Sequence, residues 1–238
     1  MKKLIIIPAY NEESNIVDTV RRANYLSPDY DVIVINDAST DHTREMCEQY
    51  GIPHLNLPVN LGIGGAVQTG YRFASRHGYD VAVQVDADGQ HNPEFLKTME
   101  QALVENNADM IIGSRFLENK GFQSSSIRRV GIKFFSGLIQ ILTGQLISDP
   151  TSGLRMVGKK AIKLFSQDYP SDYPEPETDV QLVSRGYKVI EIPVVMNERQ
   201  GGESSISARK SIYYMIKVTL AIFVEVSRGK GFIWKRQG

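Results

Sequence analysis

The segment VAVQVDADGQH, residues 81–91, begins like a buried strand and ends in two carboxylates one residue apart. Asp86 and Asp88 repel each other, so a chain that keeps both at the mouth of its core needs a cation, or a ligand carrying one, between them. In an open parallel sheet, ligands bind outside the carboxyl ends of the strands. If the backbone stays extended through Asp88, the two side chains point the same way, about 6.5–7 Å apart at Cα. That spacing suits one divalent ion shared between protein carboxylates and phosphate oxygens, as Mg²⁺ is commonly held. Such an ion neutralises charge on a departing diphosphate. The competing reading is an acidic loop that caps a strand, with Asp88-Gly89 as a turn.

The flanking sequence favours a sheet. KLIIIPAY, DVIVIND, PHLNLP, DVAVQVD and ADMIIGSR read as strands. Between them EESNIVDTVRRANYL carries Ile16, Val20 and Ala23 on one helical face, and DHTREMCEQYG and GGAVQTGYRFASRHG read as helices stopped by Gly51 and Gly78. NPEFLKTMEQALVENN starts with Asn92 as N-cap and Pro93 in the first turn. Strands alternating with helices predict an α/β fold with a mostly parallel sheet covered on both faces, and near-continuous Ile and Val fit that burial.

After about residue 115 the rhythm changes. NKGFQSSSIRR is a polar loop, VGIKFFSGLIQILTGQLI a long apolar helix, YPEPETDVQLVSRG a helix behind two prolines, YKVIEIPVVMNER a strand and QGGESSISARKS a loop. IYYMIKVTLAIFVEVSRGKGFIWKR is an apolar helix with a basic, aromatic end. The expected organisation is one domain over residues 1–210, with a nucleotide-binding half (1–115) and an acceptor half (116–210) sharing one sheet. An apolar and basic helix and tail follows over 211–238.

Composition narrows the function. The 238 residues carry 27 Lys plus Arg against 27 Asp plus Glu, so there is no basic excess of the kind a general nucleic-acid binder shows. One cysteine, Cys47, excludes an intramolecular disulfide and a cysteine metal cluster. His42, His54, His77 and His91 show no metal-ligand spacing. The N-terminus turns polar after four apolar residues, too few for a signal-peptide core. No run of about 18 uncharged apolar residues marks a spanning helix.

Two further motifs bring polar groups to the edge where Asp86 sits: PAYNE, Pro8 to Glu12, and NDASTD, Asn36 to Asp41. Either alone reads as a turn and helix cap; with the D-x-D they deliver acids and amides from three strands to one rim. NLGIGGAVQTG adds glycines that permit close backbone approach to a ligand. Gly62, Gly64 and Gly65 lack the G-x-G-x-x-G spacing, and no G-x-x-x-x-G-K-[ST] phosphate loop occurs.

IPAYNE, NDASTD, NLGIGGAVQTGYR, DADGQH, GSR, DPTSGLRM and ERQGGESSIS stand in the order and spacing of family 2 glycosyltransferases. Over residues 3 to 210 the chain most resembles the dolichol-phosphate mannose synthase-like, polyprenyl-phosphate branch. The resemblance implies a GT-A fold, a nucleotide-diphosphate sugar donor, Mg²⁺ or Mn²⁺, and inversion at the anomeric carbon. It makes Pro8, Ala9, Tyr10, Asn11, Glu12 and Asp37, with Gly65, the nucleotide pocket. Asp86 and Asp88 become the ribose and metal-diphosphate carboxylates, with Gln90 a further metal-side ligand. Arg199 becomes the diphosphate arginine on a loop containing Gly202, Ser204 and Ser205; Ile206, where the mannose-synthase pattern often has lysine nearby, departs from it. Arg115 and Arg129, or the adjacent Arg128, become the pair that holds an acceptor phosphate.

A lipid phosphate needs no general base, because its oxygen is already anionic. A sugar hydroxyl on a lipid-linked or cell-wall glycan needs a carboxylate; Asp149, Glu175 and Glu177 are candidates. The nucleobase is expected to be uracil, on family frequency. The two long apolar helices fit either a core or dimer interface, making a homo-oligomer, or a bilayer surface, where Arg228, Lys230, Phe232, Trp234, Lys235 and Arg236 suit anionic lipid. The expected location is the cytoplasm, peripheral at the inner face of the plasma membrane. Two rival classes are a nucleotidyltransferase, which would carry a Gly-rich basic signature where PAYNEE is acidic, and a non-catalytic nucleotide-sugar-binding protein.

Overall fold

The computed structural model describes residues 1–118, 120–121, 126–196 and 208–234. Seven strands form one sheet: β1 (Lys3–Ala9), β2 (Asp31–Asn36), β3 (His54–Asn56), β4 (Val81–Gln84), β5 (Met110–Ser114), β6 (Arg155–Gly158) and β7 (Val189–Pro193). Their order is β3-β2-β1-β4-β6-β5-β7. All pairings are parallel except those of β6, which runs antiparallel to both β4 and β5. The helices are α1 (Ile16–Leu26), α2 (Thr43–Gln49), α3 (Gly62–Arg76), α4 (Leu96–Glu105, entered through a 3₁₀ turn at Pro93–Phe95), α5 (Ser126–Thr143), α6 (Lys159–Gln167), α7 (Pro174–Ser184) and α8 (Ala208–Trp234).

The period-2 alternation of strand side chains divides the core in two. Ile5, Ile7, Val32, Val34, Val81 and Val83 pack on one face with residues of α1, α2 and α4. Leu4, Ile6, Ile33, Ile35, Ala82 and Val157 pack on the other with α3, α5, α6, α7 and α8. Both clusters draw residues from before and after position 115. Two glycines of α3 serve this packing: a Cβ at Gly70 would stand 2.3 Å from Ile6, and one at Gly64 2.1 Å from the Pro170 carbonyl oxygen.

Most expected elements form. α6 is not among the expected elements, nor is β6, where the sequence predicts no strand. β6 is short and antiparallel, and it opens on the buried Arg155 instead of an apolar residue. Its position brings residues 149–154, which lead into it, to the rim formed by the carboxyl ends of the parallel strands. The two long apolar helices are amphipathic. α5 buries Ile132, Phe135 and Ile139, and α8 buries Val218, Ile222 and Val226, while Phe134, Ile141, Ile216 and Leu220 are exposed. No helix among the described residues is long and apolar enough to cross a membrane.

Candidate active site

The strands deliver their polar ends to one cleft of about 540 Å³, lined by Pro8, Ala9, Tyr10 and Glu12 after β1 and by Asp37 after β2. Asn60, Gly62, Ile63 and Ala66 border it at the start of α3, Gln84, Asp86, Ala87 and Asp88 at the end of β4, and Glu175 on α7. Pro8 is tolerated inside a central strand because it lies past Ile6, the last β1 residue paired with β4.

The PAYNE and NDASTD loops are zipped together by side chain to backbone bonds. The Asn11 N–H donates to Ser39 Oγ at 2.9 Å, and Asn11 Oδ1 accepts from the Thr40 N–H at 2.8 Å. The Glu12 N–H donates to Thr43 Oγ1 and the Glu13 N–H to Asp41 Oδ2. Asn11 adopts a left-handed φ of 57°, which its short polar side chain tolerates; it locks the rim and does not line the cleft. Asp37 is buried and accepts from the Leu61 N–H at 2.7 Å, fixing the entrance to α3. Gly65 also stands outside the lining: a Cβ there would meet Leu61 Cβ at 2.4 Å, so the position is small for local packing.

The two central aspartates are not the extended pair the spacing suggests. β4 ends at Gln84 and the chain turns at Ala87–Asp88. Asp88 is buried and its Oδ1 accepts from the Gln90 N–H at 3.0 Å. Asp86 Oδ1 accepts from Gln84 Nε2 at 3.0 Å. Both carboxylates still line the same cleft. The donor set is hard oxygen, which fits Mg²⁺ or Mn²⁺. Among the described residues no three His, Cys, Asp or Glu side chains converge as a metal site, so an ion here would draw further ligands from a bound diphosphate. Gln90 is half-buried and outside the cleft lining.

Of the three candidate bases only Glu175 lines the cleft. Burial pushes its carboxyl up, Arg155 pulls it back, and Asp86 adds to the rise. Glu177 lies between α7 and α8; burial, then Glu225 and Asp172, push it up to about 7. Asp149 is fully buried and bound bidentately by Arg115, at 2.7 Å to each oxygen, an arrangement that suits a counter-ion better than a proton acceptor. The same contact alters the expectation for Arg115, whose planar fork is spent on Asp149. Arg128 and Arg129 are exposed in the first turn of α5. Arg199, Gly202, Ser204 and Ser205 lie outside the described residues.

Several site residues escape sequence reasoning. Gln84 of β4 and Arg155 of β6 are register partners at the end of the apolar face. Arg155 is 2% exposed and donates to Asp179 at 2.5 Å, to Thr178 at 2.9 Å and to the Ser152 carbonyl at 2.7 Å, tying β6 to α7 and so to Glu175. An arginine opening a strand could have signalled a buried ion pair, but its partner on α7 is 24 residues away.

A mostly parallel sheet with one antiparallel insertion and an acid-lined carboxyl rim defines the fold class, GT-A. Glucosyl-3-phosphoglycerate synthase from Mycobacterium tuberculosis, in complex with Mn²⁺, uridine diphosphate and phosphoglyceric acid, shares this fold with a TM-score of 0.74 at 18% identity, over 94% of this chain and 78% of that one. The chain belongs to glycosyl transferase family 2, whose model matches residues 4–165. It is similar to polyprenol monophosphomannose synthase of Mycolicibacterium smegmatis, 29% identical over 91% of this chain and 85% of the relative. It is also similar to undecaprenyl-phosphate mannosyltransferase of Micrococcus luteus, 31% identical over 87% of this chain and 88% of the relative. The protein is a glycosyltransferase, and the nucleotidyltransferase and non-catalytic readings fall.

Proposed function

We propose that this enzyme moves a sugar from a nucleoside-diphosphate sugar to a polyprenyl phosphate, with inversion and with a divalent cation at the D-x-D. The observation that carries the reading is the single cleft in which Pro8, Ala9, Tyr10, Asp37, Asp86 and Asp88 converge. It is supported by relatives whose names specify polyprenyl-phosphate acceptors. In this reading Tyr10 and Asp37 border the nucleoside, Asp86 the ribose and Asp88 the metal-bound diphosphate. A bound Mg²⁺ or Mn²⁺ would offset the charge that develops on the leaving diphosphate. Arg199 and its loop, with Gly202, Ser204 and Ser205, would cover the donor. Arg128 and Arg129, at the start of the apolar α5, would meet the acceptor phosphate.

The apolar side chains left exposed on α5 and α8, among them Phe134, Ile141, Ile216, Leu220, Phe223 and Val224, support a peripheral seat at a bilayer. There the acceptor chain stays in lipid and its phosphate in water. A second reading, transfer to a glycan hydroxyl, is favoured by one observation. Glu175 is the candidate carboxylate that lines the cleft, and burial raises its carboxyl above the ordinary value.

The deciding experiment measures thermal stability with UDP-, GDP- and dTDP-sugars, each with and without Mn²⁺, followed by transfer to polyprenyl phosphate and to a glycan hydroxyl. A cognate donor at about 100 times its dissociation constant adds about 2.7 kcal/mol. A UDP-sugar is the first to try, because the structural neighbour holds UDP. Absence of stabilisation by any nucleotide sugar would sink the donor assignment, and transfer only to the hydroxyl would select the second reading.

A further inference from the structure

Asp86 is held from three directions. Its backbone N–H donates to His91 Nδ1 at 3.0 Å, and its Oδ1 accepts from Gln84 Nε2 at 3.0 Å. His91 Nε2 lies 3.6 Å from Asp86 Oδ2. His91 is 5% exposed and Gln84 1%. A ring nitrogen that accepts a backbone N–H carries no proton, so the neutral His91 ring bears its proton on Nε2, facing the carboxylate. The third wall is Gly153, in the lead-in to β6. A Cβ there would stand 3.0 Å from Asp86 Oδ2, 3.2 Å from His91 Cε1 and 3.3 Å from Gln84 Nε2. Gly153 does not occupy the left-handed region, so what it supplies is space for the Asp86 carboxylate.

The geometry points to His91 as a positioning residue for this carboxylate. Through Nδ1 it pins the Asp86 backbone across the 86–91 turn. The carboxylate then meets the donor in a fixed orientation, with Gln84 and Gly153 completing the box. None of these three residues has a role in the proposed reaction so far, and β6 must be antiparallel for Gly153 to arrive here. The inference rests on Asp86 as a donor-binding carboxylate, so its test separates the two claims.

The test is calorimetric binding of UDP, GDP and dTDP with Mn²⁺ to the full-length wild-type chain and to Asp86→Ala, His91→Asn, His91→Gln and Gly153→Ala. Asparagine sets its amide oxygen near the Nδ1 position and keeps the acceptor; glutamine sets its terminal amide near Nε2 and loses it. Expected is a dissociation constant within about threefold of wild type for His91→Asn, and weakening by about tenfold or more for His91→Gln and Gly153→Ala. In the Asp86→Ala background these losses should vanish, because the group being positioned is gone. That cycle separates positioning from general destabilisation, and if the His91 variants do not fold, Gly153→Ala alone runs it. Wild-type protein that binds none of the three nucleotides removes the donor-site reading and this inference with it. With wild-type binding intact, His91→Gln binding as wild type does, or losses that persist undiminished without Asp86, overturn the inference while leaving the donor site standing.

Discussion

Arg115 grips Asp149 with Nε on one carboxylate oxygen and a terminal nitrogen on the other, each at 2.7 Å, and its backbone N–H adds a third bond at 3.1 Å. Asp149 is completely buried and the Arg115 side chain is 11% exposed. Glu191 of β7 fixes the same loop by accepting from the Ser148 and Asp149 N–H groups at 2.7 and 2.9 Å. Removing one partner of such a pair strands a buried charge. Arg115→Ala is therefore expected to lower stability by about 3–5 kcal/mol, read by chemical denaturation. Arg115→Lys should recover only part, because a point charge lacks the planar fork. A loss below about 1 kcal/mol, with a raised apparent KM for a phosphate acceptor, would return Arg115 to the ligand.

Arg128 and Arg129 are expected to act on the acceptor. Replacing either with alanine should spare nucleotide-sugar binding and raise the apparent KM for polyprenyl phosphate. A lost charge-assisted contact costs about 1.5–3 kcal/mol, roughly 10- to 150-fold in kcat/KM. Steady-state kinetics against acceptor concentration is the measurement, and an unchanged KM in the double variant counts against the assignment.

Asp88→Ala should abolish transfer and remove the effect of Mn²⁺ on nucleotide affinity. The carboxylate is buried in the turn after β4 and lines the cleft. Calorimetry with and without Mn²⁺ decides it: a metal-enhanced affinity that survives the substitution rules out Asp88 as the ligand.

Glu177 gives the α7–α8 junction a pH dependence. Burial first, then Glu225 and Asp172, raise its carboxyl to about 7; Lys217 opposes the rise and Glu175 adds a little. Between the ordinary carboxylate range and about pH 7 the native state keeps a proton that the unfolded chain has released. Stability from this group therefore falls as pH rises through that window. Because Glu177 is only part-buried, solvent screening reduces the effect to about 1 kcal/mol. Glu177→Gln should raise Tm at pH 8 and leave it nearly unchanged at pH 4.5. Equal Tm differences at both values would show that the carboxyl does not titrate in the native state.

Sedimentation with anionic vesicles tests the exposed face of α8. Truncating the helix is a poor probe, since Val218, Ile222 and Val226 belong to the core. Ile216, Leu220 and Phe223 are 58%, 61% and 48% exposed. Changing all three to serine should leave Tm within a few degrees and move the protein from pellet to supernatant. Undiminished pelleting would assign those side chains another partner.

Much of this was written in the chain. The alternation of KLIIIPA and DVIVIN with intervening amphipathic helices specifies a parallel sheet, because strand and helix periods are local. The rim motifs follow from the same reading: a parallel sheet brings every strand's carboxyl end to one side, so PAYNE, NDASTD and DADGQH converge whatever their separation in sequence. The apolar stripes of α5 and α8 are equally visible, although sequence cannot say which part of each stripe faces the core.

Tertiary structure decided the rest. β6 is four residues long and opens on an arginine, too short and too polar for a periodic signal. It becomes a strand because β4 and β5 offer it edges and Thr178 and Asp179 of α7 satisfy its buried guanidinium. Its reversed direction then sets Gly153 against Asp86. The candidate bases were indistinguishable as letters. Asp149, Glu175 and Glu177 are separated by what packs on them: the first neutralised by Arg115, the second on the cleft wall, the third between two helices. Local chemistry determined which residues could act, whereas burial and the partner across the fold, properties no stretch of sequence contains, decided which are placed to do so.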